Sequence, residues 1–280
     1  LISLTYFMPV IGGSRRWISF GDILFQPSEF GKLILVFVLA RILSGQQGKM
    51  YEVKLIILTM MVVLLPCFLI FQQPDFGTSI VYGFIVIPML YWSGIRSFYL
   101  FVIMAPLVSI VSAFNIIFFS IWMSCLIIAL YLSQPKVFHG VLIFVINVIF
   151  GILSPYIWNN ILYPHQQERI LTLINPMHDP HGSGYQVIQS VIAIGSGGFW
   201  GKGLGQGTQT QLRYLPVRDT DFIISVVAEE WGLFGIIIIM ISFYVIIYWI
   251  IIFASSISNR FSSLCLIGFA SIIFIHLSVN

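Results

Sequence analysis

Long apolar runs without charge dominate this sequence. Several stretches of roughly 17 to 20 residues contain no charged side chain, and a helix of that length crosses the roughly 30 Å hydrocarbon core of a bilayer. The composition agrees, since 59% of the 280 residues are hydrophobic and only 8% are charged. Soluble globular domains carry far more charge than this. The sequence therefore predicts an integral membrane protein.

The apolar runs and the residues that interrupt them predict an all-α fold, a polytopic transmembrane helical bundle with a long extracytoplasmic loop. Pro27 suits the first turn of a helix, Glu29 faces the positive end of its dipole, and Asp75 does the same for a later helix. We expect one membrane domain over 1–280 and, since both chain ends lie within apolar runs, a fragment without its first and last spans. The predicted helical segments are 1–11, 27–44, 54–71, 77–93, 97–113, 115–132, 138–158, 222–253 and 262–280.

Charged residues divide the loops into two sets that alternate along the chain. The loops at 41–54, 94–97, 133–139 and 254–261 are each net positive, so the positive-inside rule predicts that they are cytoplasmic. The opposite face then carries most of the acids and a second group of basic residues that suits an anionic ligand. These residues are Asp22, Glu29, Asp75, Glu168, Asp179, Asp219, Asp221, Arg15, Arg16, Arg169, Lys202, Arg213 and Arg218.

The segment 159–221 is too long and too polar for a simple connector, and loops of this length are usually functional. We expect it to be the extracytoplasmic catalytic loop region. Its apolar part, 185–199, is expected to form a helix in the membrane interface or dipping into it. The glycines of 195–207 admit two interpretations, a backbone cradle for phosphate or a flexible or tightly turned re-entrant loop. Because glycine follows Lys202, the P-loop pattern is not met.

Several acidic residues invite both a structural and a chemical interpretation. Asp221 stands directly before an apolar run, where it either caps the helix or takes a proton from a substrate hydroxyl. Glu229 lies about two turns further on roughly the same side of that helix, whereas Glu230 points nearly opposite. Glu29 and Lys32 are three residues apart, so they are expected to form an ion pair.

Metal, redox and nucleic-acid chemistry have little support in the sequence. His165, His178 and His181 match no standard metal-site spacing and are interpreted as solvated loop residues. The three cysteines are interpreted as small buried hydrophobes, and His276 as a satisfied polar group inside the membrane. No cofactor is evident, and a divalent cation, Mg²⁺ or Mn²⁺, stays an open alternative.

Three blocks of sequence resemble the SEDS family of shape, elongation, division and sporulation proteins. The blocks are GGSRRWISFGDILFQPSEFGK (12–32), QPDFGTS (73–79) and 165–235, which includes GSGGFWGKGLGQGTQTQLRYLPVRDTDF. GTQTQL at 207–212 resembles the RodA-type branch more than the division branch. The resemblance implies a peptidoglycan glycosyltransferase of the bacterial inner membrane that polymerises lipid II on the outer face. It also implies a class B penicillin-binding protein as the cross-linking partner.

The resemblance implies roles for individual residues as well. The essential aspartate of the family falls on Asp221, which is then the general base of an inverting transfer. The other matching positions are Trp17, the arginines before it, Glu29 and Lys32. Cations must hold the departing pyrophosphate, and the candidates are Arg15, Arg16, Lys202 and Arg213.

Two features of this chain depart from the family pattern. Asp219 stands where the family commonly has His, and a second carboxylate so close raises the proton affinity of Asp221. The stretch 97–158 holds two more spans than the shortest relatives, an even number that keeps the catalytic loop on the outer face.

Two other functions remain alternatives. A flippase or transporter of the lipid-linked precursor would place its ionisable residues near the bilayer midplane, whereas the acids here gather at one interface. A non-catalytic scaffold for cell-wall enzymes predicts that removing the charge of Asp221 has no effect. Reconstituted polymerisation separates the three functions.

Overall fold

The computed structural model describes most of the chain as α-helices. The described residues are 3, 5, 16–20, 23–45, 52–73, 75–163, 167–168, 171–172, 175–180, 184–208 and 223–279. The helices are α1 (Pro27–Ser44), α2 (Glu52–Phe71), α3 (Phe76–Trp92), α4 (Ser97–Ser112), α5 (Ile116–Ser133), α6 (Val137–Asn160), α7 (Tyr185–Gly197), α8 (Ile223–Ser256) and α9 (Arg260–Val279).

The predicted all-α bundle is confirmed, with helix ends close to those read from the apolar runs. Within the described residues, five helices are long and apolar enough to cross a membrane: Val53–Phe71, Ile116–Ser133, Val137–Asn160, Ile223–Ser256 and Arg260–Val279. Gly77–Trp92 and Ser97–Ser112 are shorter apolar helices. The predicted helix within 185–199 is present as α7, whereas most of segment 1–11 lies outside the described residues.

A short hairpin lies where the sequence predicted only a loop. Strand β1 (Ile18–Phe20) pairs antiparallel with β2 (Ile23–Phe25), and Ile18 lies opposite Phe25. The hairpin ends directly before α1, which begins with Pro27 at its first position. Trp17 and the start of α1 are therefore held close together by local structure.

One compact unit contains 1–95 and 237–280. Here α9 lies against α1 and α3, and α2 lies against α3. The approach of α9 to α1 is close, because a Cβ added at Gly268 would come within 2.4 Å of a Val36 methyl group. The Trp92 indole N–H donates to the Ser263 hydroxyl at 2.8 Å, and that hydroxyl donates to the carbonyl of Ala254.

The other compact unit contains 96–236. Helices α4, α5 and α6 pack around Ala105, Met123 and Leu126, which are buried. A polar contact crosses this apolar packing: the Ser109 hydroxyl donates to Asn147 Oδ1 at 2.7 Å and accepts from the Trp122 indole at 2.8 Å. In a membrane such a hydrogen bond joins helices that apolar surfaces alone hold weakly.

Replacing Asn147 by Leu is expected to lower the free energy of unfolding in detergent by about 1 kcal/mol, since hydrogen bonds between membrane helices contribute that much. Asn160→Leu is the matched control, because Asn160 lies on the same helix, is exposed, and donates to the Tyr156 carbonyl one turn before. Thermal unfolding of both variants measures the difference. Equal losses in the two variants would show that the Ser109–Asn147 bond does not join the helices.

Candidate functional site

The first polar cluster surrounds Lys32 on α1. Lys32 is almost completely buried, at 2% exposure, and its ammonium nitrogen lies 2.7 Å from Glu29 Oε2. It also lies 2.6 Å from Nε2 of His276 on α9. The predicted Glu29–Lys32 ion pair is therefore present, and His276 is a satisfied polar group as predicted. Because an ammonium group only donates, His276 accepts through its Nε2 lone pair and its ring is neutral.

A second cluster in the same unit surrounds Asp75, whose side chain is 8% exposed. Asp75 lies at the start of α3, as predicted, and its carboxylate caps that helix by accepting from the backbone N–H and hydroxyl of Thr78 at 3.2 and 2.9 Å. Oδ2 also accepts from the Gln26 amide at 3.1 Å and lies 3.5 Å from an Arg16 guanidinium nitrogen. Asp75 therefore ties the start of α3 to the residues that precede α1.

Arg16 is only partly satisfied by these contacts. Its guanidinium carbon lies 5.9 Å from the centre of the Trp17 ring, within the range of a cation–π contact. Its Nε–H is buried and has no hydrogen-bond partner among the described residues. A guanidinium group with an unused donor is suited to a carboxylate or phosphate oxygen.

The third cluster lies in the other unit, around Glu229. This carboxylate is fully buried and accepts from Lys202 Nζ at 2.8 Å and from the Thr208 hydroxyl at 3.0 Å. Lys202 Nζ also donates to the hydroxyls of Ser196 and Thr208, both at 2.8 Å. Glu230 is partly exposed whereas Glu229 is fully buried, which agrees with the prediction that the two side chains point in nearly opposite directions.

The glycine-rich segment is a tight turn that pairs with α8. Helix α8 is interrupted at Gly232, whose φ of 66° is left-handed. The backbone N–H groups of Lys202 and Gly203 donate to the carbonyls of Glu229 and Glu230, both at 3.0 Å. These two N–H groups are therefore used by protein carbonyls, as the tight-turn interpretation predicts.

The predicted site residues fall into three groups. Arg16, Trp17, Glu29 and Lys32 lie around the start of α1. Lys202 belongs to the cluster around Glu229. Arg15, Arg213 and Asp221 lie outside the described residues, so their roles stay predictions.

The sequence did not predict that His276 contacts Lys32 or that Asp75 contacts Arg16. His276 is 244 residues from Lys32 along the chain, and no local pattern reports such a contact. The described part of the chain contains no group of three or more His, Cys, Asp or Glu side chains that could hold a metal ion. His165 and His181 lie outside that part of the chain.

Comparison with known proteins identifies the family. The sequence profile of the FtsW/RodA/SpoVE family, described as cell cycle protein, matches residues 1–131 and 116–280. The chain is 30% identical over 280 residues to the peptidoglycan glycosyltransferase MrdB of Escherichia coli K12, covering 100% of this chain and 64% of that protein. It is 30% identical over 272 residues to the stage V sporulation protein E of Bacillus subtilis, covering 97% and 62%. The chain thus spans less than two thirds of the length of these relatives.

Two solved structures share the fold. One, described as a peptidoglycan synthase complex that coordinates polymerization and crosslinking, is 26% identical with a TM-score of 0.59, covering 99% of this chain and 68% of the other. The other is a mutant of the rod shape determining protein RodA of Thermus thermophilus, 20% identical with a TM-score of 0.51, covering 99% and 63%. The chain is a member of the FtsW/RodA/SpoVE family, the SEDS proteins, and a multi-pass protein of the bacterial inner membrane.

Proposed function

We propose that the full-length protein is a glycosyltransferase that polymerises lipid II into glycan strands on the outer face of the inner membrane during cell elongation. The observation that carries the proposal is the pair of polar clusters around the start of α1, in a chain of which only 8% is charged. Ionisable groups inside a membrane protein usually mark a functional site. The proposal also rests on a relative that is named a peptidoglycan glycosyltransferase and matches all 280 residues of the chain.

The proposed reaction is a single displacement with inversion. An oxygen of the acceptor sugar forms a bond to the anomeric carbon of the donor, and the bond from that carbon to the pyrophosphate oxygen breaks. The pyrophosphate leaves with the electron pair, and Asp221 takes the proton of the acceptor hydroxyl as general base. One base is enough for this reaction, unlike the paired carboxylates of a glycosidase.

Cationic groups are proposed to stabilise the leaving pyrophosphate. Arg16 is a candidate because its Nε–H is buried without a partner among the described residues, beside Trp17. Arg15 and Arg213 are proposed for the same role by sequence position, within the outer loops that include the catalytic region 159–221. Such preorganised charges act strongly where water is excluded. Glu29 and Lys32 are proposed to line the substrate site at the start of α1.

A cross-linking partner is part of the proposal. The similar solved structure is described as a synthase complex that coordinates polymerization and crosslinking. We therefore propose that this protein works beside a class B penicillin-binding protein, which joins the peptides of the new glycan.

Reconstitution of the purified full-length protein in liposomes with lipid II tests the function. We expect glycan strands to form, at a rate that the partner raises, and gel analysis of labelled product measures them. Repeating the assay with a chelator reports whether a divalent cation is needed. Movement of lipid II between leaflets without polymer would instead identify a flippase, and neither activity would identify a scaffold.

A further inference from the structure

Helix α8 is broken at Gly232, and residues 197–203, here called the glycine turn, form hydrogen bonds with the backbone groups beside the break. A left-handed residue inside a helix leaves backbone N–H and C=O groups without helical partners, and such groups are costly in a membrane. The glycine turn supplies the missing partners. It donates to the carbonyls of Glu229 and Glu230, and it accepts from the N–H groups of Leu233 and Phe234 at 2.9 and 3.1 Å.

Close backbone contact explains why this turn is made of glycine. A Cβ added at Gly197 would lie 2.0 Å from the carbonyl oxygen of Ala228, and one at Gly201 would lie 2.1 Å from that of Glu230. Earlier in α7, the Ser190 hydroxyl lies 2.5 Å from the Ser225 hydroxyl on α8. The part of α8 before Gly232 is therefore held along its length by α7 and the glycine turn.

An ion pair between Lys202 and Glu229 adds to the backbone contacts between the glycine turn and α8. The three N–H donors of the Lys202 ammonium group have three acceptors within the protein, Ser196, Thr208 and Glu229, each at 2.8 Å. Lys202 therefore has no donor left for a phosphate in this arrangement. Glu229 is fully buried, and a buried carboxylate that loses its cation is strongly destabilising.

We propose that the Lys202–Glu229 pair is a positioning device for Asp221 and does not bind the pyrophosphate. In the sequence, Asp221 stands two residues before Ile223, where α8 begins. A fixed start of α8 limits the positions open to the proposed general base two residues before it. The inference rests on the proposed function, and it reassigns Lys202 from substrate binding to positioning.

The test uses four variants of the full-length protein: Lys202→Met, Glu229→Gln, the double variant and Glu230→Gln. Glu230→Gln is the matched control, because Glu230 is the next residue on α8 and is partly exposed, whereas Glu229 is fully buried. Lys202→Met is expected to lower kcat about 100-fold, the cost of a misplaced catalytic group, with little change in KM for lipid II. The double variant is expected to be at least about fivefold more active than Lys202→Met, because removing both partners leaves no unpaired buried charge.

Hydrogen exchange of the backbone amides of 202 and 203 gives a readout that is independent of activity. These amides are expected to exchange slowly in the parent protein and in Glu230→Gln, and faster in Lys202→Met. In the double variant they are expected to exchange more slowly than in Lys202→Met. A KM for lipid II that rises in Lys202→Met, or a double variant no more active than Lys202→Met, would overturn the proposal. If Lys202 bound phosphate, a second substitution at Glu229 could not restore the lost contact. If the parent protein makes no glycan, the proposed function fails, and the positioning of a catalytic Asp221 fails with it. The exchange rates then still decide whether the pair fastens the glycine turn.

Discussion

Replacing Asp221 by Asn in the full-length protein is expected to lower the rate of lipid II polymerisation by about 10²- to 10⁴-fold, the usual contribution of a general base. The amide has nearly the same shape and size as the carboxylate but cannot take the proton of the acceptor hydroxyl. Binding of lipid II should therefore change little while kcat falls. Initial rates over a range of lipid II concentrations, measured on purified protein in liposomes, separate the two parameters.

The neighbouring Asp219 provides the matched control for this experiment. Asp219→His introduces the residue that the family commonly has at this position, so polymerisation is expected to continue. Asp221→Glu keeps the carboxylate but moves it by one methylene, so an intermediate rate is expected. Thermal unfolding of each variant must match the parent protein, to separate loss of chemistry from loss of fold. Undiminished glycan synthesis by a folded Asp221→Asn protein would refute the role of Asp221.

Helix positions could be predicted because the bilayer dictates them. Backbone groups inside a membrane must be paired within their own segment, so an uncharged apolar run of sufficient length has little choice but to form a helix. The beginning of α1 at Pro27 and the cap of α3 by Asp75 followed from local preferences of single residues. The hairpin before α1 also had a signal, because Gly-Asp separates two short apolar segments, ISF and ILF.

Contacts between distant segments could not be predicted in the same way. Gly232 and Gly235 both stand in the apolar run of α8, yet only Gly232 has a left-handed backbone. The difference comes from the glycine turn, whose backbone pairs with the break. Because the break depends on another segment, the sequence around Gly232 does not predict it. The same holds for Arg16 and Asp75, which meet only after the chain has folded.

Gly201→Ala is expected to cost about 2–4 kcal/mol of unfolding free energy, among the larger effects of single substitutions. Two costs combine at this position. The backbone has a φ of +78°, which disfavours any side chain by about 1–2 kcal/mol. The added methyl group would also lie 2.1 Å from the Glu230 carbonyl oxygen, so the turn and α8 must separate. Separation lengthens the hydrogen bonds that the glycine turn makes across the break.

Two other glycines, Gly203 in the glycine turn and Gly195 on α7, separate the backbone cost from the cost of the close contact. Gly203 has a φ of +103° but only the flexible Gln206 side chain nearby, at 3.5 Å, so Gly203→Ala isolates the backbone cost. Gly195 is helical with nothing within 4 Å, so Gly195→Ala is expected to be neutral or to stabilise by up to about 1 kcal/mol. Unfolding midpoints measured in one detergent should therefore be highest for Gly195→Ala, lower for Gly203→Ala and lowest for Gly201→Ala. Equal midpoints for the last two would mean that the turn is not pressed against α8, and the proposed positioning of Asp221 would lose its mechanical basis.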